Sequence, residues 1–410
     1  MFWMFSVEPS KLEAKMHEPN ETVTPKVLRL AGTSFNKEYF NGLVVIEGQI
    51  YGVSASSKPV LFVYPDRPPR ITDSYTLAEL AEVKFAIGGR TMVVKNGVSS
   101  ITGGYPQNSR YSIIGVTDSG EFMLFFSDHR LKHIASALIL LGVKNAMILA
   151  ADPEGYLEVE GEVVCGQLPR VTIEADAYTA YPRPYIFLEL AHGGRDTGVF
   201  SPCGTVQEKN LNLSHGLNIN DYLSNFECTV FLSRYADVSS ADEDNREVGA
   251  TLEADLSMSI HSSIGEGGVD SFVPADAPLK VIEKQRKFGA ILQRRLAGMS
   301  TMYKGEFRSL SLRTENCILL RLLSPLVKED LAVLRNPASF ISLSNAVAGS
   351  IVELLNLQQR GCKPPKEEEE QFIYKVYVGE YHHLDSALRR IRELRSSGFD
   401  AILTKEKAPE

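Results

Sequence analysis

The sequence predicts an α/β protein, in which a central α/β domain follows an α+β domain and precedes a small βαβ module. Three observations carry this. Between residues 181 and 356, short apolar runs alternate with long amphipathic stretches, an order that builds layers on a largely parallel or mixed sheet. Before residue 168, the chain is a series of β-branched and aromatic runs punctuated by turns, with one helical stripe. After residue 370, a strand–helix–strand pattern stands alone.

In the first region (1–168), "NGLVVIEGQIYG", "KPVLFVYP", "RTMVVKNGV" and "RYSIIGVTDSGEFMLFFSD" read as strands, the last folding into a hairpin at Asp118-Ser119-Gly120. Leu131, Ile134, Leu138 and Leu141 form one stripe of a helix that Gly142 stops, and "NAMILAAD" follows as a buried strand. In the central region (181–356), "YIFLEL", "CTVFLSR", "ADLSMSIHSS" and "NCILLRLL" are strand candidates, separated by helices at 208–225, 279–298 and 338–356. Residues 357–370 contain "CKPPKEEEE", whose prolines and glutamates read as a solvated linker. In the last region (371–406), Leu384, Leu388, Ile391 and Leu394 line a helix that ends at Gly398.

Composition narrows the function. With 44% hydrophobic and 23% charged residues the chain is globular, and its net charge of −8 argues against nucleic acid as a partner. Five cysteines, odd in number and without a CxxC pair, suit reduced thiols. The opening "MFWMFSVEPSKLEAK" lacks a basic start and a long apolar run, so synthesis in the cytoplasm without a signal peptide is expected. No stretch is expected to reach the roughly 20 apolar residues of a membrane span.

The chemistry concentrates in "IFLELAHGGRDTGVF", where an apolar strand runs into His192 and two glycines. In open α/β sheets, ligands gather beyond the carboxyl ends of strands. His261 ends a second strand, and Glu208 opens the helix "EKNLNLSHGLNINDYL". Two histidines and a glutamate form a catalytic zinc set that leaves a fourth position for water. They are far apart in sequence, so the set exists only if the fold converges them.

"HGGRDTG", "EKNLNL", "LSRYADVSSADEDNREVGA", "ADLSMSIHSS" and "GVDSFV" resemble, in order, the motifs of zinc-dependent N-acetylmuramoyl-L-alanine amidases. The resemblance implies an amidase-type α/β sandwich, Zn²⁺ on His192, Glu208 and His261, and peptidoglycan as substrate, cut between N-acetylmuramic acid and L-alanine. One position departs. The family carries a catalytic glutamate on its last core strand, where "CILLRLLSPLVKED" places Arg321. A cation about 5 Å from the metal is repelled by roughly 3 kcal/mol per unit charge at an effective dielectric near 20. If the register is shifted locally, Glu315 or Glu329 would serve instead.

The flanks carry resemblances of their own. "AGTSFNKEYFNGLVVIEGQIYG", "AIGGRTMVVKNGV", "SRYSIIGVTDSGEFMLFFSDHR" and "LLGVKNAMILAADPEG" are similar to phosphodiester glycosidases, and Arg110 and Asp128 match positions near that family's groove. Both of the family's polar turns are lost, at Ala31-Gly32-Thr33 and at Ala150-Ala151-Asp152-Pro153, which implies a structural or sugar-binding role. The C-terminal "YKVYVGEYHHLDSALRRIRELRSSGFDAILT" resembles half of a peptidoglycan-binding SPOR domain, with Tyr377 and Tyr381 placed to stack on sugar. Two readings follow: a peptidoglycan amidase with weakened activity, or a catalytically inactive wall-binding component of a phage tail, injection machine or other large assembly. Either would act at the cell wall, within a virion or after lysis, and is compatible with a homo-oligomer.

Overall fold

The computed structural model describes residues 2–17, 28–32, 35–36, 39–40, 42–52, 58–102, 109–152, 155–238, 248–262, 267–272, 279–297 and 317–360. Glu315, Tyr377, Tyr381 and the C-terminal module lie outside the described residues.

The N-terminal unit is built from antiparallel pairs. Tyr111–Thr117 and Phe122–Ser127 form the expected hairpin, in register from Tyr111↔Ser127 to Val116↔Phe122, with Gly120 at φ 84° in the turn. Every residue of Phe122–Ser127 is buried, because the strand lies inside a seven-stranded sheet between Tyr111–Thr117 and Phe2–Val7. The helix Leu131–Leu140 turns Leu131, Ile134, Ala135 and Leu138 inward. It stops where Gly142 takes φ 76°, a conformation open to glycine at little cost.

The unit continues past the boundary expected at residue 168. Val171–Ala175 pairs with Leu12–Met16 and Leu28–Ala31, and Thr179–Ala180 pairs with Phe5 and Ser6. The chain returns to strands laid down more than 140 residues earlier, a pairing that local patterning does not announce.

The second unit is one five-stranded sheet. Its strands are β1 (Tyr185–Leu190), β2 (Thr229–Leu232), β3 (Leu256–His261), β4 (Val269–Phe272) and β5 (Cys317–Leu322), in the order β2-β1-β3-β5-β4. All neighbours are parallel except β4, which runs antiparallel to β5. Helices α1 (Glu208–Leu223), α2 (Leu279–Ala297), α3 (Lys328–Arg335) and α4 (Pro337–Leu355) complete it.

Alternation along β1 sorts the two faces. Ile186, Leu188 and Leu190 pack with Phe288 and Leu292 of α2 and with Val347 and Ile351 of α4. Tyr185 and Phe187 point the other way, into a cluster with Phe231, Val248 and Leu252 and with Phe2, Ile113, Phe125, Ile134 and Leu138 of the N-terminal unit. The N-terminal unit therefore covers part of the sheet's second face, and β1 reads as a continuous apolar run because both faces are buried.

The expectation that no segment approaches membrane-spanning length is corrected by α4. Pro337–Leu355 is 19 residues long and apolar enough to cross a bilayer by length and composition. Here its apolar side is core: Phe340, Leu343, Val347 and Ile351 are buried against the sheet and its helices. Asn336 caps its start by accepting from the Ser339 N–H, with Pro337 in the first turn.

Candidate metal centre

His192, Glu208 and His261 converge at the rim where β1 and β3 end and α1 begins. One ligand atom from each lies within 4.8 Å of the others. His192 Nε2 is 3.3 Å from Glu208 Oε2, and His261 Nδ1 is 3.4 Å from Glu208 Oε1. The two rings stand at 90° with centroids 5.5 Å apart.

Local structure explains the convergence. His192 takes φ 64° and Gly193 and Gly194 continue the bend, so the chain leaves β1 by turning sharply across the rim. Gly193 has no room for a side chain: a Cβ there would lie 2.2 Å from the Val238 carbonyl oxygen. Buried Arg234 donates to the carbonyls of Leu190, Ala191 and Lys209, which ties the end of β1 to the start of α1. Lys209 Nζ donates to the Gly194 carbonyl and pairs with Asp237, whose other oxygen accepts from the Gly194 N–H.

Glu208 is buried, yet both of its oxygens are satisfied. Oε2 accepts from the Val199 N–H at 3.0 Å and Oε1 from the Ser262 N–H at 2.9 Å. Burial works to raise the carboxyl, but hydrogen bonds to His192, His261 and the two backbone groups outweigh it and hold Glu208 well below the usual carboxylate range. Its place in the first turn of α1 adds the favourable end of the helix dipole. The hydrogen bond to Glu208 raises His192 to about 9 against desolvation, with Asp196 assisting.

The donor set fits a zinc ion. Tetrahedral coordination with bonds of about 2.0–2.1 Å sets neighbouring ligand atoms roughly 3.3 Å apart. The two histidine–carboxylate separations, 3.3 Å to Oε2 and 3.4 Å to Oε1 of Glu208, are each close to that edge, so either carboxylate oxygen stands at ligand distance from one imidazole. Asp196 lies on the outer side of His192, 2.8 Å from Nδ1, which would commit Nε2 to the metal and orient the ring. Asp196 itself is lowered, first by His192 and then by the Gly198 N–H. Gly198, at φ 60°, is wedged against this assembly: a Cβ there would sit 2.6 Å from Glu208 Oε2 and 2.7 Å from His192 Cδ2.

Arg321 lies on β5 in direct register with His261 of β3 and with Asp270 of β4. Its guanidinium carbon is 5.0 Å from the centre of the Phe272 ring. Glu329 is exposed in the first turn of α3. The next residue, Asp330, turns inward and accepts from the N–H groups of Gly268 and Ser324. Among the described residues no further His, Cys, Asp or Glu joins the three-ligand cluster.

In the N-terminal unit, Arg110 and Asp128 sit at matching ends of adjacent strands, since Tyr111 pairs with Ser127. Arg110, however, pairs with Asp152 at 2.8 Å and donates to Cys165 Sγ. Asp128 groups instead with His129 and Glu253. Asp152, the polar residue left in an altered turn, is thus the carboxylate that holds Arg110. Sequence reasoning missed Asp196, Asp237, Arg234 and Asp330. Only the position of Asp196, four residues after His192 in a glycine-bracketed turn, offered a signal.

This site sits within a segment, residues 186–372, that matches the family model described as N-acetylmuramoyl-L-alanine amidase, so the α/β unit is an amidase-type domain. The chain is 25% identical over 200 residues to the endolysin of Bacillus phage SPP1, covering 45% of this chain and 71% of that protein. Among solved structures, the catalytic domain of the amidase CwlV from Bacillus (Paenibacillus) polymyxa var. colistinus is similar at 19% identity. That match spans 43% of this chain and 100% of that one, with a TM-score of 0.39. An N-acetylmuramoyl-L-alanine amidase from Clostridium difficile 630 matches at 20% identity over 42% of this chain and 96% of its own, also at 0.39.

Proposed function

We propose that the α/β unit is a zinc hydrolase acting on the amide between N-acetylmuramic acid and L-alanine of peptidoglycan, at a rate limited by Arg321. The observation that carries this is the His192–Glu208–His261 cluster inside the amidase-type segment, with Asp196 on the outer nitrogen of His192. Bound zinc would polarise the amide carbonyl and lower the pKa of its water from about 15.7 to about 7. The chain's own contribution is to hold the two imidazoles and one carboxylate. Glu208 is fixed by two backbone N–H groups, and His192 is oriented by Asp196.

The resemblance assigns Arg321, which stands beside His261 on the next strand, to the place of the group that takes the water proton and returns it to the departing amine. That residue favours a second reading, a wall-binding component that no longer cuts. In either case the N-terminal unit serves as a structural or sugar-binding domain with Arg110 and Asp128 at its groove, the segment with Tyr377 and Tyr381 binds glycan strands, and the protein works on the wall after lysis or within an assembly.

Zinc content and release of stem peptides from purified sacculi test both readings together. About one zinc per chain is expected, lost in His192→Ala and in His261→Ala, with slow release by the wild type. Arg321→Glu should speed release at least tenfold, within the roughly 10²–10⁴ that a positioned acid–base group contributes. Full zinc retention in both histidine variants would remove the metal reading. Brisk wild-type cleavage that Arg321→Glu slows would take Arg321 out of the catalytic position and return attention to Glu315 and Glu329.

A further inference from the structure

Arg321 is one strand from a metal-ligand histidine, yet it has no ion pair among the described residues. Asp270 stands directly across from it on β4 and has an interaction of its own. The contact the guanidinium does make is with the face of Phe272, 5.0 Å from its centre, and Phe272 is itself only 2% exposed. Leu320 and Leu322 point to the helical side of the sheet, so Arg321 points to the opposite side, as its parallel-register neighbour His261 does.

A guanidinium held over an aromatic ring can still present N–H donors to a ligand. Those donors form a rigid fork matched to a planar carboxylate, and packing against the ring reduces the freedom lost when the fork is filled.

We infer that Arg321 determines specificity by anchoring a free carboxylate of the stem peptide beside the metal centre. This rests on the amidase reading above. The muramoyl amide lies one residue before the second stem residue, a D-glutamate joined through its side chain, whose α-carboxylate is either free or amidated. Two extended residues span about 7 Å, which places that carboxylate within reach of an arginine on the strand next to His261. The same position that would cost the site an acid–base group would then select the acidic stem over the amidated one.

The test titrates the full-length, zinc-loaded chain by calorimetry with two soluble muramoyl tripeptides, N-acetylmuramoyl-L-alanyl-γ-D-glutamyl-L-lysine and the same compound with the glutamate α-carboxylate replaced by carboxamide. Each ligand is recovered and checked to be intact. The acidic ligand should bind the wild type at least tenfold more tightly, a preference that Arg321→Gln abolishes and Arg321→Lys retains in part. Equal binding of both ligands to the wild type overturns the anchor and leaves the amidase reading standing, and it does so whether or not any variant folds. A preference that survives Arg321→Gln assigns it elsewhere and equally overturns the anchor. Failure of both ligands to bind a zinc-loaded chain removes the amidase reading and the anchor with it.

Discussion

Replacing Glu208 with glutamine keeps the shape of the side chain and removes its charge, so it tests the electrostatics of the site apart from its packing. In the wild type each carboxylate oxygen faces one backbone N–H, from Val199 at 3.0 Å and from Ser262 at 2.9 Å. Glutamine has one oxygen, so its amide nitrogen must confront one of those two donors. A buried donor left without an acceptor costs about 1–3 kcal/mol, and Glu208→Gln should lose that much stability in metal-free protein at every pH.

A second loss depends on pH. His192 is raised from 6.5 to about 9, chiefly by its hydrogen bond to Glu208. A raised folded-state pKa contributes stability that is complete below pH 6.5 and disappears as pH rises through 9. At 1.36 kcal/mol per unit the ceiling is about 3 kcal/mol. Because the His192 side chain is 21% exposed, the realised value should fall below that. Urea unfolding of chelator-treated protein at pH 6 and pH 9.5 measures it. The gap between wild type and Glu208→Gln should be larger at pH 6 and shrink toward the hydrogen-bond term at pH 9.5. If the two proteins lose stability in parallel across this range, Glu208 is not what charges His192, and the geometry of the cluster has been misjudged.

Two further outcomes follow from close contacts and from the core. Gly198→Ala must push Glu208 and His192 apart, since its Cβ would lie 2.6 and 2.7 Å from their atoms. Zinc affinity should drop at least tenfold by competition with a chelating dye, with helix content by circular dichroism unchanged. Phe187→Ala empties a site in the cluster shared by the sheet and the N-terminal unit. It should cost about 3–5 kcal/mol in urea unfolding, and a loss under 1 kcal/mol would mean that this face is not core.

Much of the α/β unit is legible in the chain itself. The helices expected at 208–225, 279–298 and 338–356 are found at Glu208–Leu223, Leu279–Ala297 and Pro337–Leu355. Periodicity works there because each helix buries one stripe against the sheet. The strands that lead to His192 and end at His261 are equally plain, and open α/β sheets direct such residues to the rim. What remained undetermined was everything set by distant pairing. The pairing of Arg110 with Asp152, and the return of Val171–Ala175 to the N-terminal strands, depend on register between segments far apart in the chain. So does the placing of Tyr185 and Phe187 in a core shared with the N-terminal unit. Local pattern carries the period of an element and its terminal residues. Which faces meet, and which charges pair, is settled when the sheets close, because burial and ion pairing are properties of the assembled surfaces.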